Sequence, residues 1–461
     1  MPARRVGEGW APAVREDTIF ALASAAGRAG VAVFRVSGPD AGKAFAELTG
    51  RSLPTPRRAV RVRLRCPVSL EILDDGLGLW FPAPHSFTGQ DVAEFHMHGG
   101  RAVGAAITGA LSALPGLRLA EPGEFTRRAF ENGKFELTAA EGLADLVNAE
   151  TEAQRRQARR QLEGELGAIY EGWRGRLLRG LAHFEAGIDF VDEELPIGLM
   201  ESVRPQILGI LDEILQHLAD SRRGERLRDG IYIAIIGAPN VGKSSLLNAL
   251  ARRDAAIVSA TAGTTRDVIE VHLDLAGFPV IVADTAGLGE AGDDIESEGI
   301  RRARARAADA DLKVALFDAT GWPALDGPTR ALVDDDTVAV LNKADLWSAA
   351  QRSGGTLAIA GRPAQVLSVK TGEGMAELLA RVEAEVAARV DLTGPPALTR
   401  ARHRAALEDC AAALQRFLGA DQEELAAEDL RLATRALGRI TGGVDVEDML
   451  DVIFRDFCIG K

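Results

Sequence analysis

The residues of this chain with the clearest chemistry form a loop suited to binding phosphate. The apolar run 231–236 predicts a buried strand, and residues 245–250 predict a helix. Between them, residues 237–244 read Gly-Ala-Pro-Asn-Val-Gly-Lys-Ser. The N–H groups of such a loop and of a helix N-terminus are unpaired donors that can surround a phosphate. Lys243 would reach the β- and γ-phosphates, and the Ser244 hydroxyl would ligate Mg²⁺.

Further polar clusters follow in the order that a guanine-nucleotide site requires. Residues 263–267 predict a first switch in which Thr265 is a second Mg²⁺ ligand, and Asp284 would hold the metal through water. Asp345 can accept hydrogen bonds from the N1–H and amino group of guanine, a pair that adenine does not offer. The predicted GTP-binding residues are Asn240, Val241, Gly242, Lys243, Ser244, Ser245, Ser259, Ala260, Thr261, Ala262, Gly263, Thr264, Thr265, Asp284, Thr285, Ala286, Gly287, Asn342, Lys343, Ala344, Asp345, Ser368, Val369 and Lys370.

Two positions refine the predicted hydrolysis. Leu288 stands where Ras-type enzymes have a glutamine that orients water, so the catalytic group must come from elsewhere. The carboxylates at 293–296, including Glu296, are the nearby alternatives. Asn240 within the loop either ligates a monovalent cation that neutralises transition-state charge or stabilises the loop, and residue chemistry alone leaves both interpretations open.

Length, charge and cysteine content limit the protein class. A chain of 461 residues predicts two to four domains. Three cysteines argue against a disulfide framework and favour a reducing cytoplasm, and no apolar run approaches the 18 residues of a membrane span. With a net charge of −13, any contact with RNA needs local basic patches. The candidate patches, each also explained as a solvated helix face, are Arg155, Arg156, Arg159 and Arg160; Arg222, Arg223 and Arg226; and Arg400, Arg402 and Arg404.

The periodicity of apolar residues predicts a multidomain chain. Residues 1–16 read as a flexible tail, and 17–132 as a small α+β domain. Segments 133–228 and 390–461 have helical periodicity, and 229–389 carries the nucleotide motifs. Either helical segment alone would leave its apolar stripe uncovered. We therefore expect one discontinuous all-α domain with an α/β Ras-like P-loop domain inserted in it.

Two regions outside the nucleotide motifs also suggest chemistry. Residues 121–134 are dense in Gly, Pro, Arg and aromatic side chains, which is unusual for a plain surface loop. The chain ends in Cys458-Ile-Gly-Lys461. Cys458 is either a small apolar packing residue or a reactive thiol whose thiolate is favoured by the lysine nearby.

Together these residues resemble the tRNA wobble-uridine modification GTPases known as the MnmE or TrmE family, in the TrmE-Era-EngA-like class. The resemblance covers the chain from about Asp17 to Lys461. Other GTPases share the nucleotide motifs but not this frame. Its marks are residues 18–19, 30–31, 35–38, 87–92, 98–100, 122–126 and 132–134, the nucleotide motifs, and the terminal Cys-Ile-Gly-Lys.

The resemblance implies a folate site and a dimer. The N-terminal domain is similar to folate-binding aminomethyltransferase domains, and in the family it mediates a homodimer. Its pocket would hold a tetrahydrofolate derivative in the 5-formyl or 5,10-methylene form. Arg35, Glu94, Lys134 and Lys461 would line that pocket, which would bring Cys458 near the chemistry.

The resemblance also implies a reaction and its partners. The family works with the FAD-binding protein MnmG (GidA) in a heterotetramer, and adds an aminomethyl or carboxymethylaminomethyl group to C5 of the wobble uridine in the tRNA anticodon. Its GTPase is activated by K⁺, and its G domains dimerise during hydrolysis. The K⁺ ligands would be Asn240, Ser259, Thr261 and Thr264. Glu296 falls at the position of the general base.

The alternative function is a ribosome-assembly GTPase that acts as an RNA-binding switch. Such proteins usually add an RNA-binding domain with a basic Gly-x-x-Gly loop after the G domain. The sequence after residue 389 shows no such loop.

Overall fold

The structure is a computed structural model of the whole chain. It describes residues 17–189, 199–220, 222–252, 270–284, 307–348, 357–390, 394, 396–443, 450, 453–454, 457 and 459–460.

Strands and helices are numbered along the described residues. The strands are β1 (Thr18–Leu22), β2 (Ala29–Ser37), β3 (Val60–Arg65), β4 (Ile72–Phe81), β5 (Val92–Gly99), β6 (Leu117–Leu119), β7 (Ile231–Gly237), β8 (Glu270–Leu275), β9 (Phe278–Asp284), β10 (Leu312–Asp318), β11 (Thr337–Asn342), β12 (Ala358–Ile359) and β13 (Arg362–Val366). The helices are α1 (Ala41–Thr49), α2 (Arg101–Ser112), α3 (Glu124–Glu131), α4 (Leu137–Asn148), α5 (Glu152–Leu162), α6 (Glu165–Asp189), α7 (Leu199–Leu218), α8 (Arg223–Asp229), α9 (Lys243–Ala251), α10 (Gly327–Arg330), α11 (Met375–Arg389), α12 (Ala401–Gly419) and α13 (Glu423–Thr441).

The chain divides into two compact units. The first comprises Met1–Ala144, Leu162–Arg179 and Arg431–Lys461. Its six-stranded sheet has the order β3-β4-β5-β2-β1-β6, in which only β1 and β6 are parallel neighbours. Alternation along β2 sends Phe34 and Val36 into the core and leaves Arg35 on the other face.

The core of the first unit lies between the sheet and helices α1 and α2. It contains buried aromatic residues from both layers, and the rings of Phe45 and Phe95 stack with centroids 5.5 Å apart. A smaller apolar cluster covers part of the other face of the sheet. Its buried members are Ile19, Ala21, Ala120 and Phe125.

The second unit comprises Asp145–Gln161 and Gly180–Leu430 and holds the predicted nucleotide motifs. Its seven-stranded sheet has the order β12-β13-β11-β10-β7-β9-β8. The strands from β13 to β9 are parallel, whereas β12 and β8 pair antiparallel at the edges. Apolar clusters cover both faces of this sheet, so its central strands are continuous apolar runs.

Helices from two distant parts of the sequence also pair within the second unit. α12 packs along α7, and Phe184 meets Phe417 edge to face with ring centroids 5.3 Å apart. The Arg204 guanidinium donates to the carbonyl oxygens of Leu418 and Ala420. Helix α12 therefore covers part of α7, and Arg431–Lys461 belong to the first unit.

Among the helices that the structure describes, none is both long enough and apolar enough to cross a membrane. The helix expected at 446–457 lies largely outside the described residues.

Candidate functional site

The phosphate loop joins β7 to α9 at the carboxyl edge of the second sheet. The strand order reverses at β7, and ligands of open parallel sheets bind at such a point. Gly242 caps α9 with φ +107°, and a Cβ there would lie 2.3 Å from Nδ2 of Asn342. Only glycine fits this position. Asn240 also has a left-handed backbone, at φ +60°, and its side chain is exposed.

Lys243 and Ser244 occupy the first turn of α9. The Lys243 side chain is buried, and its ammonium donates to the carbonyl oxygens of Gly237 and Ala238, each at 2.9 Å. These contacts hold the positive charge of Lys243 against the phosphate loop. Ser244 is exposed at the start of the helix, where a hydroxyl can ligate a cation. The loop therefore fits a magnesium nucleotide.

Asn342 connects the phosphate loop to both segments that are predicted to bind the base. Its Nδ2 donates to the Val241 carbonyl at 2.8 Å, and its Oδ1 accepts from the Val369 N–H at 3.1 Å. Asp345 stands next to it, and its Oδ1 accepts from the Ser368 hydroxyl at 2.7 Å. The structure thus brings together the predicted residues of the loop, of 342–345 and of 368–370.

Asp318 is a member of this site that sequence reasoning missed. It ends β10, and its Oδ2 accepts from the ammonium of Lys343 at 2.7 Å. Burial alone would raise the pKa of the Asp318 carboxyl, but hydrogen bonds from Lys343 and Thr320 outweigh it and lower the pKa. The available signal was a polar residue at the carboxyl end of a buried apolar strand.

The first unit brings together two of the predicted folate residues directly. Arg35 and Glu94 are register partners on β2 and β5, and Nε donates to Oε1 at 2.9 Å. The Arg35 guanidinium lies 5.0 Å from the ring centroid of Phe87 and 5.7 Å from that of Phe125. Both charged side chains remain partly exposed, at 19% and 16%. A charged pair beside aromatic rings is suited to binding a ring that carries polar groups.

Lys134 reaches the same region through the loop that carries Phe87. Its ammonium donates to the Pro84 carbonyl at 2.8 Å, and a Cβ on Gly89 would lie 3.3 Å from its side chain. The neighbouring Asn132 donates to the Thr88 carbonyl at 2.7 Å. Phe87, Phe125 and Asn132 lie in segments that carry the family resemblance, but none of them was predicted as a folate-binding residue.

The last described residues of the chain dock on the first unit. Ile459 forms an antiparallel bridge with Pro122. Gly460 is buried with φ +99°, and a Cβ there would lie 2.2 Å from the Leu22 carbonyl oxygen. Upstream, Phe454 and Phe457 pack in one apolar cluster with residues of α3 and α4. Ile459 and Gly460 therefore lie in a defined position beside β1 and the loop before α3.

A buried ion network holds that loop in place. Glu124, at the start of α3, accepts from Arg118 and from Arg128, whose side chain is only 1% exposed. Both arginines also bind Asp17 just before β1. Burial alone would raise the pKa of Glu124, but hydrogen bonds from Arg118, the Glu121 N–H and Arg128 outweigh it and lower the pKa to about 2.

Several predicted site residues lie outside the described residues, so their expected roles remain predictions. They are Ser259, Ala260, Thr261, Ala262, Gly263, Thr264, Thr265, Thr285, Ala286, Gly287, Glu296, Cys458 and Lys461. For Asp284 the structure describes the backbone at the end of β9.

Comparison with known proteins agrees with this arrangement. A family model described as "GTP-binding protein TrmE N-terminus" matches residues 18–134, and one described as "MnmE helical domain" matches residues 137–458. The "tRNA modification GTPase MnmE" of Paramagnetospirillum magneticum is 60% identical over 96% of this chain and 100% of its own length. The protein of the same name from Rhodospirillum rubrum is 57% identical, covering 96% and 99%. A mitochondrial 5-taurinomethyluridine tRNA synthase subunit of Danio rerio is 49% identical, covering 97% and 93%.

Proposed function

This chain belongs to the MnmE/TrmE family of tRNA modification GTPases, and we propose that it uses GTP hydrolysis to drive the modification of C5 of the wobble uridine in tRNA. The group added is aminomethyl or carboxymethylaminomethyl. An FAD-binding partner of the MnmG (GidA) kind joins it in a heterotetramer. The reaction takes place in the cytoplasm.

The seat of the chain's end supports this function best. Ile459 and Gly460 are anchored on the first unit through Pro122 and Leu22. Cys458 and Lys461 flank these two anchored residues in the sequence. This anchoring is expected if the Cys458 thiol and the Lys461 ammonium act at the folate site. A GTPase that served only as a nucleotide switch would not require it.

The folate site is proposed on Arg35, Glu94, Lys134 and Lys461. Arg35 and Lys134 lie against the Phe87–Gly89 segment, and Glu94 pairs with Arg35. Their charges suit the polar ring and carboxylates of a tetrahydrofolate derivative. When bound, this cofactor supplies the one-carbon unit. Arg35 and Glu94 would hold its ring through their fixed, complementary charges, and Phe87 and Phe125 would lie beside it.

GTP hydrolysis is proposed to depend on two cations. Ser244 and Thr265 would hold Mg²⁺, and Lys243 would move from the loop carbonyls to the phosphates. Asn240, Ser259, Thr261 and Thr264 would hold K⁺, which adds positive charge where the transition state is most negative. Glu296 would orient the attacking water as general base. Paired G domains would close over the K⁺ during hydrolysis.

A homodimer through the N-terminal domain is also part of the proposal. Several large apolar side chains on β4 and on the turn before it are open to solvent. They are Val68 at 79%, Leu70 at 71%, Ile72 at 51% and Leu77 at 44% exposure. Such a patch is typical of an interaction surface.

The proposed domain boundaries are 17–132, 133–228, 229–389 and 390–461.

The test is GTP hydrolysis in K⁺ and in Na⁺ at equal ionic strength, together with modification of tRNA in the presence of the partner. We expect strong activation by K⁺, and we expect Asn240→Ala to hydrolyse at the low Na⁺ rate in both salts. Equal wild-type rates in the two salts would remove the K⁺ mechanism. Absence of tRNA modification with the partner present would remove the proposed reaction.

A further inference from the structure

Helix α5 presents a basic exposed face in an otherwise acidic protein. It carries four arginines and one glutamate, whereas the chain has a net charge of −13. Arg155, Arg156 and Arg159 are exposed and lie within about 100° of one another around the helix. The opposite side of α5 buries Ala153 and Ala158. The three guanidinium groups therefore form one surface.

This surface has rigid support from the second unit. The Ala153 N–H donates to the Gly277 carbonyl at 3.0 Å, in the turn between β8 and β9. Gln157 donates to the Gly224 carbonyl in α8, and Gln154 donates to that of Arg228, each at 3.0 Å. α5 and α8 are thus fastened to each other by side chain to main chain bonds, and α5 is fastened to the G-domain sheet.

The chemistry of this surface argues against a protein or lipid partner. In the part of the chain that the structure describes, no strongly exposed large apolar side chain lies on α5 or α8. Protein interfaces bury an apolar centre, and membrane-surface helices need an apolar face. The recess beside α5 has a volume of about 120 Å³ and a mainly polar lining. That lining is Asp145, Asn148, Gln154, Gln157, Ala158, Arg228 and Asp229.

The arginines are restrained by a carboxylate that a phosphate can replace. Glu152 binds Arg155 and Arg156 on the same helix, each with a 2.7 Å contact. Exposed ion pairs of this kind contribute little to stability, and a guanidinium has five N–H donors. Glu152 therefore orders the two side chains while leaving most of their donors available to an oxyanion.

We propose that the exposed α5 face, formed by Arg155, Arg156 and Arg159, docks the sugar-phosphate backbone of the tRNA substrate. The proposal rests on the proposed function, which names tRNA as the substrate. Phosphate contacts of this kind fix the position of an RNA without reading its sequence. α5 is hydrogen-bonded to the β8–β9 turn, which lies at the end of the G-domain sheet opposite the phosphate loop. RNA docked on α5 is therefore mechanically connected to that end of the sheet.

The experiment measures binding of unmodified tRNA to the full-length protein between about 50 and 200 mM KCl. We expect the triple variant Arg155→Gln, Arg156→Gln, Arg159→Gln to weaken binding at least about tenfold and to lower the salt slope by about 2. We expect Glu152→Gln to tighten binding about two- to fivefold, because it removes the competing carboxylate. A purely structural role of the helix would not produce opposite changes.

A matched control removes three exposed arginines elsewhere in the second unit. Arg330, Arg381 and Arg416 are exposed, and the last two are paired with carboxylates as the α5 arginines are. Their replacement by glutamine should leave the dissociation constant within about twofold. If it weakens binding as much as the α5 variant, or if all variants bind tRNA equally, the docking proposal is overturned. If the wild-type protein with its partner does not modify tRNA, the proposed function is overturned instead.

Discussion

The seat of Gly460 allows a sharp test of what the end of the chain does. An alanine at 460 would place its Cβ 2.2 Å from the Leu22 carbonyl oxygen and 2.9 Å from the Ala23 Cα. Both are main-chain atoms at the end of β1, so neither can rotate away. An L-residue with this left-handed φ costs a further 1–2 kcal/mol, approximately. The tail must leave its seat to relieve the contact.

We expect Gly460→Ala to disfavour the docked tail by at least about 2 kcal/mol, which lowers the equilibrium constant for docking about 30-fold. Gly164→Ala is the matched control: it also has a left-handed φ, of +86°, but no atom lies within 4 Å of the added Cβ. The first variant should lose tRNA modification and keep GTP hydrolysis. The control should keep both.

Thiol labelling reports the same event without catalysis. In a Cys66→Ser background, Cys410 reacts slowly because burial raises its pKa to about 12. Labelling of Cys458 should then accelerate in Gly460→Ala and not in Gly164→Ala. If Gly460→Ala is labelled and modifies tRNA at wild-type rates, the reasoning from the close contact is refuted.

Three further predictions concern the catalytic residues and the buried ion network. Glu296→Ala should cut GTP hydrolysis while leaving GTP affinity nearly unchanged, and unaltered turnover would remove Glu296 from the mechanism. Cys458→Ser should abolish modification and spare hydrolysis; normally modified tRNA from this variant would make Cys458 a packing residue. For Glu124, the folded pKa of about 2 lies below the reference value of 4.5. Its stabilisation is thus present above about pH 4.5 and lost as the pH falls towards 2. The free energy of unfolding by urea should fall less between pH 6 and pH 3 in Glu124→Gln than in the wild-type protein. An equal fall in both proteins would contradict the role of Glu124 in the network.

The phosphate loop was predictable because its residues act through local sequence. A loop between a strand and a helix has its geometry fixed by neighbours a few residues away, and Gly242 and Lys243 are found where the pattern predicts. The two hydrogen bonds of the Asn342 amide were not predictable, because its partners Val241 and Val369 lie 101 and 27 residues away in the sequence. The spacing of residues along the sequence does not reveal which residues of neighbouring strands lie side by side.

The first unit shows the same limit more strongly. Arg35 and Glu94 were assigned to one pocket by resemblance, but their direct pairing follows only from the register of the sheet. The network that joins Asp17 to Arg118 and Arg128 spans 101 and 111 residues. In the sequence these arginines look like ordinary surface charges. Only the fold reveals that Arg128 is buried and paired.

The Asn342 amide also has a consequence for how this site can change. One side chain connects the phosphate loop to the two segments that are predicted to bind the base, so these segments cannot vary independently. A mutation or an inhibitor that displaces Asn342 should degrade triphosphate affinity and guanine selectivity together. A change of specificity to another nucleotide would therefore require coordinated substitutions in three separate segments of the sequence. This requirement protects the preference of the enzyme for GTP.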